Sequence, residues 1–373
     1  MSDIKVELWD EIRFNSAEKE WSDLLARSNS DRLFMSWEWL STWWHCFGTK
    51  GEMKLQLFAA YDNNILVGLA PLFLTSAVSK KFVKTARLQF LGNIWRGDST
   101  MRTELLDFIV DREFEDEIIR TLFNSINEQP DWDEFILSES NTNSKTYQLL
   151  VNEKLIGRSY YRYAETYKSY FLKVVGSFEK YCGVLGKNTR LKFINRRKLL
   201  EKLGDVAFYE YSGGAISDYF DILNSLHLKR WGRPVFEGER LEFNYRVAQL
   251  LSKKDQLSFS MILFNDKPIS IQYNYTVNKH TYNIQAGFDE DFHNKISLGY
   301  LHFGYAVELC FKNKMDVYDF LAGEGKNTQY KERLTSTSEE IVCMQLVRSN
   351  FVKFLYIIFD RFCDVKKKLM FLL

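Results

Sequence analysis

The segment YDFLAGEGKNTQYK, residues 318–331, brings together side chains that could do chemistry. It holds a carboxylate at Asp319, a phenol at Tyr330 and an ammonium group at Lys331, with a glycine-flanked lysine between them. Such a segment could hold phosphate, take part in a reaction, or only end a strand. The spacing of its residues decides the first of these alternatives.

The GEGKNT core of this segment does not match a known nucleotide-binding loop. A P-loop needs glycine at the position of Phe320 and Ser or Thr at that of Asn327. A dinucleotide fingerprint needs a further glycine where Thr328 stands. The segment therefore predicts a strand end followed by a glycine loop, without a phosphate-binding role.

A better candidate for phosphate binding is the predicted helix start in NKISLGYLHFGYA. Asn294, Lys295, Ser297 and Gly299 lie where a strand gives way to a helix. The first N–H groups of a helix are free to point at an anion, and a glycine there permits close approach. A plain capped helix would show the same residues, so both interpretations stay open.

A basic stretch at residues 186–204 is a second candidate for contact with phosphate. Its cationic residues are Lys187, Arg190, Lys192, Arg196, Arg197, Lys198 and Lys202. They could grip a nucleotide-linked or lipid-linked substrate. They could equally be the solvated face of a helix. The core side of that helix would be Leu191, Ile194, Leu199 and Leu200.

Signatures of metal sites and activated nucleophiles are absent from the sequence. No HExxH, GxSxG or EF-hand pattern occurs, and the five histidines show no metal-ligand spacing, so we expect no metal. The five cysteines are scattered without a CxxC pair, which favours reduced thiols in a cytoplasmic protein. The first residues lack an apolar signal-peptide core, and no apolar run reaches the roughly 18 residues of a membrane span.

Hydrophobic periodicity distributes the chain over two similar halves. In the second half, helices precede a hairpin, a further strand, a helix and a last short strand. The first half reads as a weaker copy with an aromatic helix, a hairpin and a third strand. The predicted elements are helix 36–47, strands within 54–76, strand 86–93, helix 216–232, strands within 257–277, strand 280–288, helix 296–313 and strand 316–323.

Composition agrees with two packed domains and gives no sign of a nucleic-acid partner. The 373 residues are too many for one small core, and 16% of them are aromatic against only 4 prolines. Such a balance suggests large packed sheets and few rigid linkers. The formal net charge of +1 provides no field that would attract nucleic acid.

The last residues predict a basic amphipathic helix. One helical stripe carries Phe351, Phe354, Leu355, Ile358, Phe362, Val365 and Leu369. Lys353, Arg361 and Lys366 to Lys368 supply positive charge. The helix could dock on the protein body, or residues 351–369 could contact the inner face of a membrane.

An ordered set of segments resembles the CelD/BcsL family, which belongs to the GNAT superfamily of N-acetyltransferases. Each segment is degenerate, but their order through most of the chain is specific. The segments are residues 34–48, 66–73, 88–93 with Asp98 after them, 178–208, 226–232, 282–289, 297–301 and 318–331. The last of them also resembles Fem-type ligases, which use aminoacyl-tRNA, through Asp319-Phe320, Gly323 and Tyr330-Lys331.

The resemblance implies an α/β fold of two tandem GNAT-like domains, each a mixed, mostly antiparallel sheet flanked by helices. We predict a degenerate domain at residues 1–165, an acyltransferase domain at 166–346 and a C-terminal amphipathic helix at 347–373. In GNAT domains a strand splays from its neighbour and the pantetheine arm of acyl-CoA lies in the gap. The diphosphate then sits on the following helix start.

By this resemblance acetyl-CoA or another acyl-CoA is the expected cofactor, and two short stretches would bind it. The strand residues are Gln285, Ala286, Gly287 and Phe288, and the helix-start residues are Lys295, Ile296, Ser297, Leu298, Gly299 and Tyr300. The glutamine/arginine-glycine signature of typical GNAT enzymes is not intact. Only Ser297-Leu298-Gly299 matches it.

Acyl transfer requires a proton acceptor and stabilisation of an oxyanion. The candidates for proton transfer are Asp98, His227, Asp319 and Tyr330, and Lys331 lies in the segment where Fem-type ligases have a charge-supporting lysine. His227 could instead be a half-buried helix histidine near Trp231, and Asp98 could be a cap. Candidate substrate contacts are Arg230, Trp231, Gln272 and Trp95, although Gln272 and Gln285 could be structural hydrogen-bonders.

The expected acceptor is a small molecule or glycan: an amino or hydroxyl group on a sugar, nucleotide-sugar or other intermediate of surface polysaccharide synthesis. This substrate class depends on the resemblance alone. Two alternatives stay open. One is a Fem-like transferase that uses aminoacyl-tRNA, and the other is a non-catalytic scaffold at the membrane. We expect a cytoplasmic protein with possible membrane association.

Overall fold

The computed structural model describes residues 4–48, 52–79, 83–97, 100–153, 155, 159–322 and 329–370. The chain forms two compact units, which we call unit 1 (Met1–Tyr167 with Glu340–Leu373) and unit 2 (Lys168–Glu339). This division differs from the predicted one at its C-terminal end. Residues 341–347 belong to unit 1 because they pair with the strand Glu134–Asn141, and the terminal helix follows them into the same unit.

The first part of unit 1 contains strand β1 (Lys5–Trp9), helices α1 (Glu11–Asn15), α2 (Glu18–Arg27) and α3 (Trp37–Trp43), and a π-helical turn (Trp44–Gly48). Strands β2 (Lys54–Asp62), β3 (Ile65–Ser79), β4 (Val83–Phe90) and β5 (Ile109–Val110) follow, then α4 (Glu115–Glu128) and β6 (Glu134–Asn141). A short helix α5 (Lys145–Tyr147) with a second π-helical turn (Gln148–Asn152) leads to β7 (Tyr160–Lys173), which continues into unit 2.

Unit 2 begins with helices α6 (Phe178–Val184), α7 (Lys187–Arg190), a π-helical turn (Leu191–Asn195) and α8 (Arg197–Leu203), followed by β8 (Val206–Glu210). Helices α9 (Ile216–Trp231) and α10 (Gly238–Ser252) precede β9 (Leu257–Phe264), β10 (Lys267–Val277) and β11 (His280–Phe288). Then come α11 (Leu298–Lys312), β12 (Val317–Asp319) and α12 (Gln329–Glu332). Strand β13 (Ser338–Val347) returns to unit 1, where α13 (Asn350–Met370) ends the described chain.

Each unit has a mixed sheet with one parallel pair. The order in unit 1 is β1-β2-β3-β4-β6-β13-β7, in which β4 and β6 are parallel and β5 pairs with β3. The order in unit 2 is β7-β12-β11-β10-β9-β8, in which β11 and β12 are parallel. Both units therefore repeat one sequence of elements: a hairpin, a third strand, a helix, and a strand parallel to the third. The predicted mixed, mostly antiparallel α/β fold is confirmed.

Two-residue turns close the hairpins of both units. Asn63-Asn64 joins β2 to β3 and Asn265-Asp266 joins β9 to β10, with φ values of 48° and 68° and of 46° and 61°. Asn and Asp tolerate this left-handed backbone, and the two-residue turn with positive φ matches the twist of the flanking strands. The residue types at these four positions therefore explain why the chain turns there.

The basic stretch 186–204 is helical, but its buried side differs from the predicted one. Leu200 is buried as expected, whereas Leu191 is only half-buried and Phe193 is fully buried instead. The π-helical turn at Leu191–Asn195 inserts one extra residue per turn and shifts which side chains face the core. Periodicity of an ideal α-helix could not predict this shift.

The basic stretch packs directly on α11 at Gly304. A Cβ atom built at Gly304 would lie 1.9 Å from the carbonyl oxygen of Phe193. We expect Gly304→Ala to lower the free energy of unfolding by about 3 kcal/mol, because this backbone oxygen cannot move aside without displacing the π-helical turn.

Chemical denaturation of purified variants measures the effect at Gly304. The matched control is Gly183→Ala in α6, where an added Cβ meets nothing within 4 Å and the change should be neutral or slightly stabilising. Equal stability of both variants would contradict the close packing of the basic stretch on α11.

Candidate active site

A gap opens between the two parallel strands of unit 2. β11 and β12 pair only over His280–Tyr282 and Val317–Asp319. β12 ends there, shorter than the predicted strand 316–323, because Leu321 adopts a left-handed backbone with φ 57°. β11 continues to Phe288 alongside β10 alone within the described chain, so one edge of its backbone is open for a ligand.

A β-bulge lies in β11 just past the point where the parallel pairing ends. Tyr273 of β10 faces Gln285, but the next residue of β10, Asn274, faces Asn283, so Ile284 is the extra residue. A bulge bends the strand and redirects its backbone groups. It therefore marks the place where β11 turns away from β12.

The start of α11 lies beside the far end of the gap. Ser297 precedes the helix, and within the described residues its side chain makes no capping hydrogen bond. The close approach that Gly299 permits is that of the Phe288 ring, whose Cε1 atom would lie 2.8 Å from an added Cβ. Gly299 therefore allows the start of α11 to pack closely against Phe288 at the end of β11.

Three cationic side chains surround this helix start. The Lys192 ammonium group lies 5.6 Å from the ring centroid of Tyr300, and the Arg333 guanidinium is close enough to act electrostatically on the Tyr300 hydroxyl. The Arg230 guanidinium lies 4.3 Å from the ring centroid of Phe288. Burial raises the pKa of Tyr300, and Arg333 opposes this shift only in part. Cations and free helix N–H groups together favour an anionic ligand.

Tyr330 also lies beside this helix start. Its ring stacks on Phe303 with centroids 5.7 Å apart and meets Tyr300 edge-on at 6.2 Å. Burial raises the pKa of Tyr330 to about 12. The phenol is therefore protonated at neutral pH, so it can donate a proton or hydrogen bond but is a poor base. Among the candidates for proton transfer, Tyr330 is therefore better suited to donating a proton than to accepting one.

Asp319 and Lys331 hold the end of β12 from two sides. Oδ1 of Asp319 accepts a hydrogen bond from the Leu321 N–H at 2.7 Å. Nζ of Lys331 donates to the carbonyls of Leu321 and Ala322 at 2.7 and 3.0 Å. Both side chains are buried. The pair stabilises the left-handed backbone of Leu321, while the loop with Gly323 lies outside the described residues.

His280 is a candidate that sequence analysis missed. Its Nε2 atom lies 3.2 Å from Oδ2 of Asp319, and its ring stacks on Tyr282 at 4.0 Å with an interplanar angle of 3°. An imidazole held by a carboxylate is an arrangement that accepts protons in many enzymes. Asp319 lies at the last paired position before the gap, opposite Tyr282, and His280 lies two residues earlier on β11, where the pairing begins.

Comparison with known proteins agrees with this geometry. Residues 187–332 match a family model described as an acetyltransferase (GNAT) domain. Residues 187–332, which lie within unit 2, are therefore similar to a GNAT acetyltransferase domain. The predictions of a GNAT-like fold and of an acyltransferase are confirmed at this level, whereas the finer resemblance to the CelD/BcsL family stays a prediction. No curated protein sequence matches the chain.

Solved structures resemble the chain over nearly its whole length. FemX aligns with a TM-score of 0.60 and 10% identity, covering 94% of this chain and 99% of FemX. A conserved protein of unknown function from Bacteroides thetaiotaomicron gives 0.53 and 10%, covering 93% and 100%. L-PGS from Bacillus licheniformis gives 0.52 and 9%, covering 91% and 94%. At such identities these likenesses show the fold alone.

Three of the predicted site residues, His227, Arg230 and Trp231, lie at the C-terminal end of α9. Nδ1 of His227 donates to the carbonyl of Arg233 at 3.0 Å, which leaves Nε2 as the unprotonated nitrogen of the neutral ring. Arg230 pairs with Glu290 at 2.9 Å and lies 4.7 Å from the ring centroid of Trp231, which is 53% exposed. His227 therefore has the half-buried place near Trp231 that was one of its two interpretations.

The two predicted glutamines make internal hydrogen bonds. Oε1 of Gln272 accepts from the Tyr318 hydroxyl at 3.0 Å, in the interior of the GNAT sheet. Oε1 of Gln285 accepts from the Ala286 N–H at 3.0 Å, on its own strand. This placement favours the structural alternative for Gln272. Gln285 occupies a backbone donor in the stretch where β11 pairs with β10 alone, so a ligand there would compete with it.

Trp95 belongs to unit 1, and Asp98 lies outside the described residues. The Trp95 ring is buried between two cations, with the Arg96 and Arg87 guanidinium carbons 4.4 and 5.3 Å from its centroid. Its backbone N–H donates to Oε1 of Gln89 at 2.9 Å. These contacts hold the loop after β4 in place. The role of Trp95 as a substrate contact and that of Asp98 in proton transfer stay predictions.

The corresponding parallel pair of unit 1 has no comparable gap. β4 and β6 pair over Arg87–Gln89 and Glu134–Ile136, and the chain then fills the next positions itself. The Leu106 N–H donates to the Glu139 carbonyl at 3.1 Å, and Arg102 binds the Glu139 carboxylate at 2.8 Å. In unit 1, Arg102 and Leu106 thus occupy the edge of β6 beyond its pairing with β4.

Within the described ranges, no group of His, Cys, Asp and Glu side chains is arranged to hold a metal ion. The four cysteines whose side chains the structure describes are buried and free of disulfides. Among the described helices, none has the length and apolar content that a bilayer span requires.

Proposed function

We propose that the protein is an acyl-CoA-dependent acyltransferase whose donor lies in the gap between β11 and β12. The observation that carries this proposal is the early end of the parallel pairing, which leaves residues 283–288 of β11 with an open backbone edge. An amide-rich chain can add to such an edge through main-chain hydrogen bonds. The pantetheine arm of acyl-CoA has amide groups of this kind.

The helix start of α11 and the three cations around it would hold the diphosphate of the donor. Lys192, Arg230 and Arg333 surround the first turn, whose N–H groups are free. The predicted Lys295 lies exposed just before this turn. Bound acyl-CoA would supply the activated acyl thioester. Side chains and backbone groups of the chain would then supply the proton transfer and the stabilisation of the oxyanion.

His280 would take the proton of the acceptor amine or hydroxyl. Asp319 holds the Nε2 side of the imidazole, so Nδ1 is the nitrogen that accepts the proton. Backbone N–H groups at the bulge of β11 would stabilise the oxyanion. The protonated phenol of Tyr330 could return a proton to the leaving thiolate.

The acceptor is proposed to be an amino or hydroxyl group on a sugar, nucleotide-sugar or glycan intermediate. This choice follows from the family resemblance. Trp231 would contact the acceptor, whereas Arg230 would contact the diphosphate of the donor. Thermal stabilisation by CoA or acetyl-CoA, followed by CoA release with an amino-sugar nucleotide, is the test. Absence of CoA binding at millimolar ligand would exclude the proposal.

The two units differ in one testable respect. Because the edge in unit 1 is covered by Arg102 and Leu106, we expect one CoA to bind per chain, in unit 2. Isothermal titration calorimetry with CoA measures the stoichiometry. Arg102→Ala removes the contact with the Glu139 carboxylate but keeps the hydrogen bond from the Leu106 N–H to the Glu139 carbonyl. We therefore expect one CoA per chain in this variant as well. Two sites per wild-type chain would show that the cover does not exclude the ligand.

A Fem-like transferase that uses aminoacyl-tRNA is the second candidate. The fold likeness to FemX, which spans 99% of that chain, keeps this candidate open. The near-neutral net charge argues against it, because tRNA binding depends on phosphate contacts. Filter binding with charged tRNA at low and high salt separates the two candidates. Salt-sensitive tRNA binding without CoA binding would favour the second.

A further inference from the structure

We propose that the outer face of α13 binds the surface of an anionic lipid bilayer. The sequence left open whether this helix docks on the protein or on a membrane. The structure shows that one side of the helix docks on unit 1 while another side stays exposed. This two-sided arrangement is independent of the acyltransferase site and carries the inference.

The inner side of α13 is fixed by polar as well as apolar contacts. Val352 and Tyr356 are each 3% exposed, and the Tyr356 hydroxyl donates to the buried Glu134 carboxylate at 3.1 Å. Asp360 accepts two hydrogen bonds from Arg162, at 2.7 Å from Nε and 2.6 Å from Nη2. A two-pronged pair of this kind specifies orientation as well as affinity. The helix therefore cannot rotate about its axis without losing these bonds.

The outer side of α13 presents the apolar stripe that the sequence predicted. Phe351, Phe354 and Ile358 are 64%, 61% and 52% exposed. Their spacing of three and four residues places them on one face of the helix. Phe362, Val365 and Leu369 belong to the same predicted stripe, but their side chains lie outside the described residues. Three neighbouring large apolar side chains in water on one helix face are unusual enough to indicate a binding surface.

The charge beside this stripe selects an anionic occupant. Arg361 is exposed next to Ile358 along the helix, whereas Asp360 is turned inward and neutralised by Arg162. Among the described side chains of α13, the outward face thus combines apolar groups with a cation and has no carboxylate. Aromatic and aliphatic groups flanked by cations are typical of helices that lie in the headgroup region of anionic bilayers.

A lipid surface fits this stripe better than a protein partner. A stable protein interface needs roughly 1,000 Å² or more of buried surface, which three side chains of one helix cannot supply. A bilayer accepts a narrow stripe of this kind, since each inserted ring gains free energy separately and the cations add attraction to anionic headgroups.

The test is co-sedimentation of the full chain with vesicles. One set contains phosphatidylcholine alone and the other contains phosphatidylcholine with phosphatidylglycerol. We expect binding to the anionic set that weakens at high salt. The variant Phe351→Ser/Phe354→Ser/Ile358→Ser should lose about tenfold or more of the partition coefficient. Phe354→Ser alone should show an intermediate loss, which guards against an effect of the triple variant on folding.

The matched control changes exposed apolar side chains elsewhere. Ile12 and Val184 are 80% and 81% exposed, and Ile12→Ser/Val184→Ser should bind vesicles like the wild type. Equal binding of the wild type and the triple variant would overturn the proposal, as would equal binding to neutral and anionic vesicles. Concentration-dependent self-association that the triple variant abolishes, without vesicle binding, would show that the stripe binds a second copy instead.

Discussion

His280→Ala is expected to lower kcat by about 10²- to 10⁴-fold while leaving CoA binding intact. A positioned general base contributes a factor of this size. The imidazole is held by Asp319 at 3.2 Å and by stacking on Tyr282, so it is oriented before any ligand arrives. The change removes no contact with the cations around α11, and for this reason the thermal shift produced by CoA should persist. Steady-state kinetics with an amino-sugar nucleotide as the acceptor measures the loss.

Two other variants separate catalysis from structure at this position. His280→Gln keeps a polar side chain beside Asp319 but cannot accept a proton at neutral pH, so its kcat should fall like that of the alanine variant. His227→Ala is the matched histidine control, because Nδ1 of His227 is bound to the Arg233 carbonyl at the end of α9. If His227→Ala lost as much activity as His280→Ala, or if His280→Gln retained full activity, His280 would not be the base.

Much of the fold follows from local sequence. Asn63-Asn64 and Asn265-Asp266 dictate their hairpins because few other residues adopt positive φ twice in succession. The strands between such turns are long and apolar, so their existence is readable without tertiary information. The ends of the strands are harder to predict. β12 stops at Asp319 because Leu321 has a left-handed backbone conformation, and the residue types at this point do not indicate it.

The sequence placed some of the candidate site residues together, and the physical cause of the omission is clear. Tyr330, Lys331 and Asp319 were predicted as candidates because they share one segment. His280 was not, since its partnership with Asp319 depends on parallel pairing of β11 with β12, which joins residues 39 positions apart in sequence. The exposed stripe of α13 was readable from periodicity. The docked side was not, because Tyr356 and Asp360 find their partners on distant strands.

Acid should destabilise the GNAT domain through His302 in α11. The ring is buried and lies between two hydroxyl groups, with Nε2 2.9 Å from Oγ of Ser260 and Nδ1 2.7 Å from Oγ of Ser270. Burial lowers its pKa to about 3. In the unfolded chain this histidine has its ordinary pKa of about 6.5. Between pH 6.5 and 3, His302 is therefore protonated in the unfolded chain but stays neutral in the folded protein.

The stability contributed by neutral His302 is therefore present above about pH 6.5 and lost as the pH falls toward 3. The free energy of unfolding should drop by about 1.4 kcal/mol per pH unit from this group, or about 2 kcal/mol by pH 5. Other groups titrate in the same range, so the measurement is a difference between the wild type and His302→Leu/Ser260→Ala/Ser270→Ala. That variant removes the imidazole together with the hydroxyls that it would otherwise leave without a partner.

Denaturant unfolding at several pH values gives the slope of the free energy of unfolding against pH for the wild type and for the triple variant. We expect the wild type to lose stability more steeply than the triple variant between pH 6.5 and 4, and parallel slopes would show that His302 is protonated in the folded state. The result also concerns binding, because His302 ties α11 to β9 and β10 and so positions the helix start beside Phe288. Because the proposed ligand CoA would bind only the folded domain, adding it should make the acid transition of unit 2 occur at lower pH.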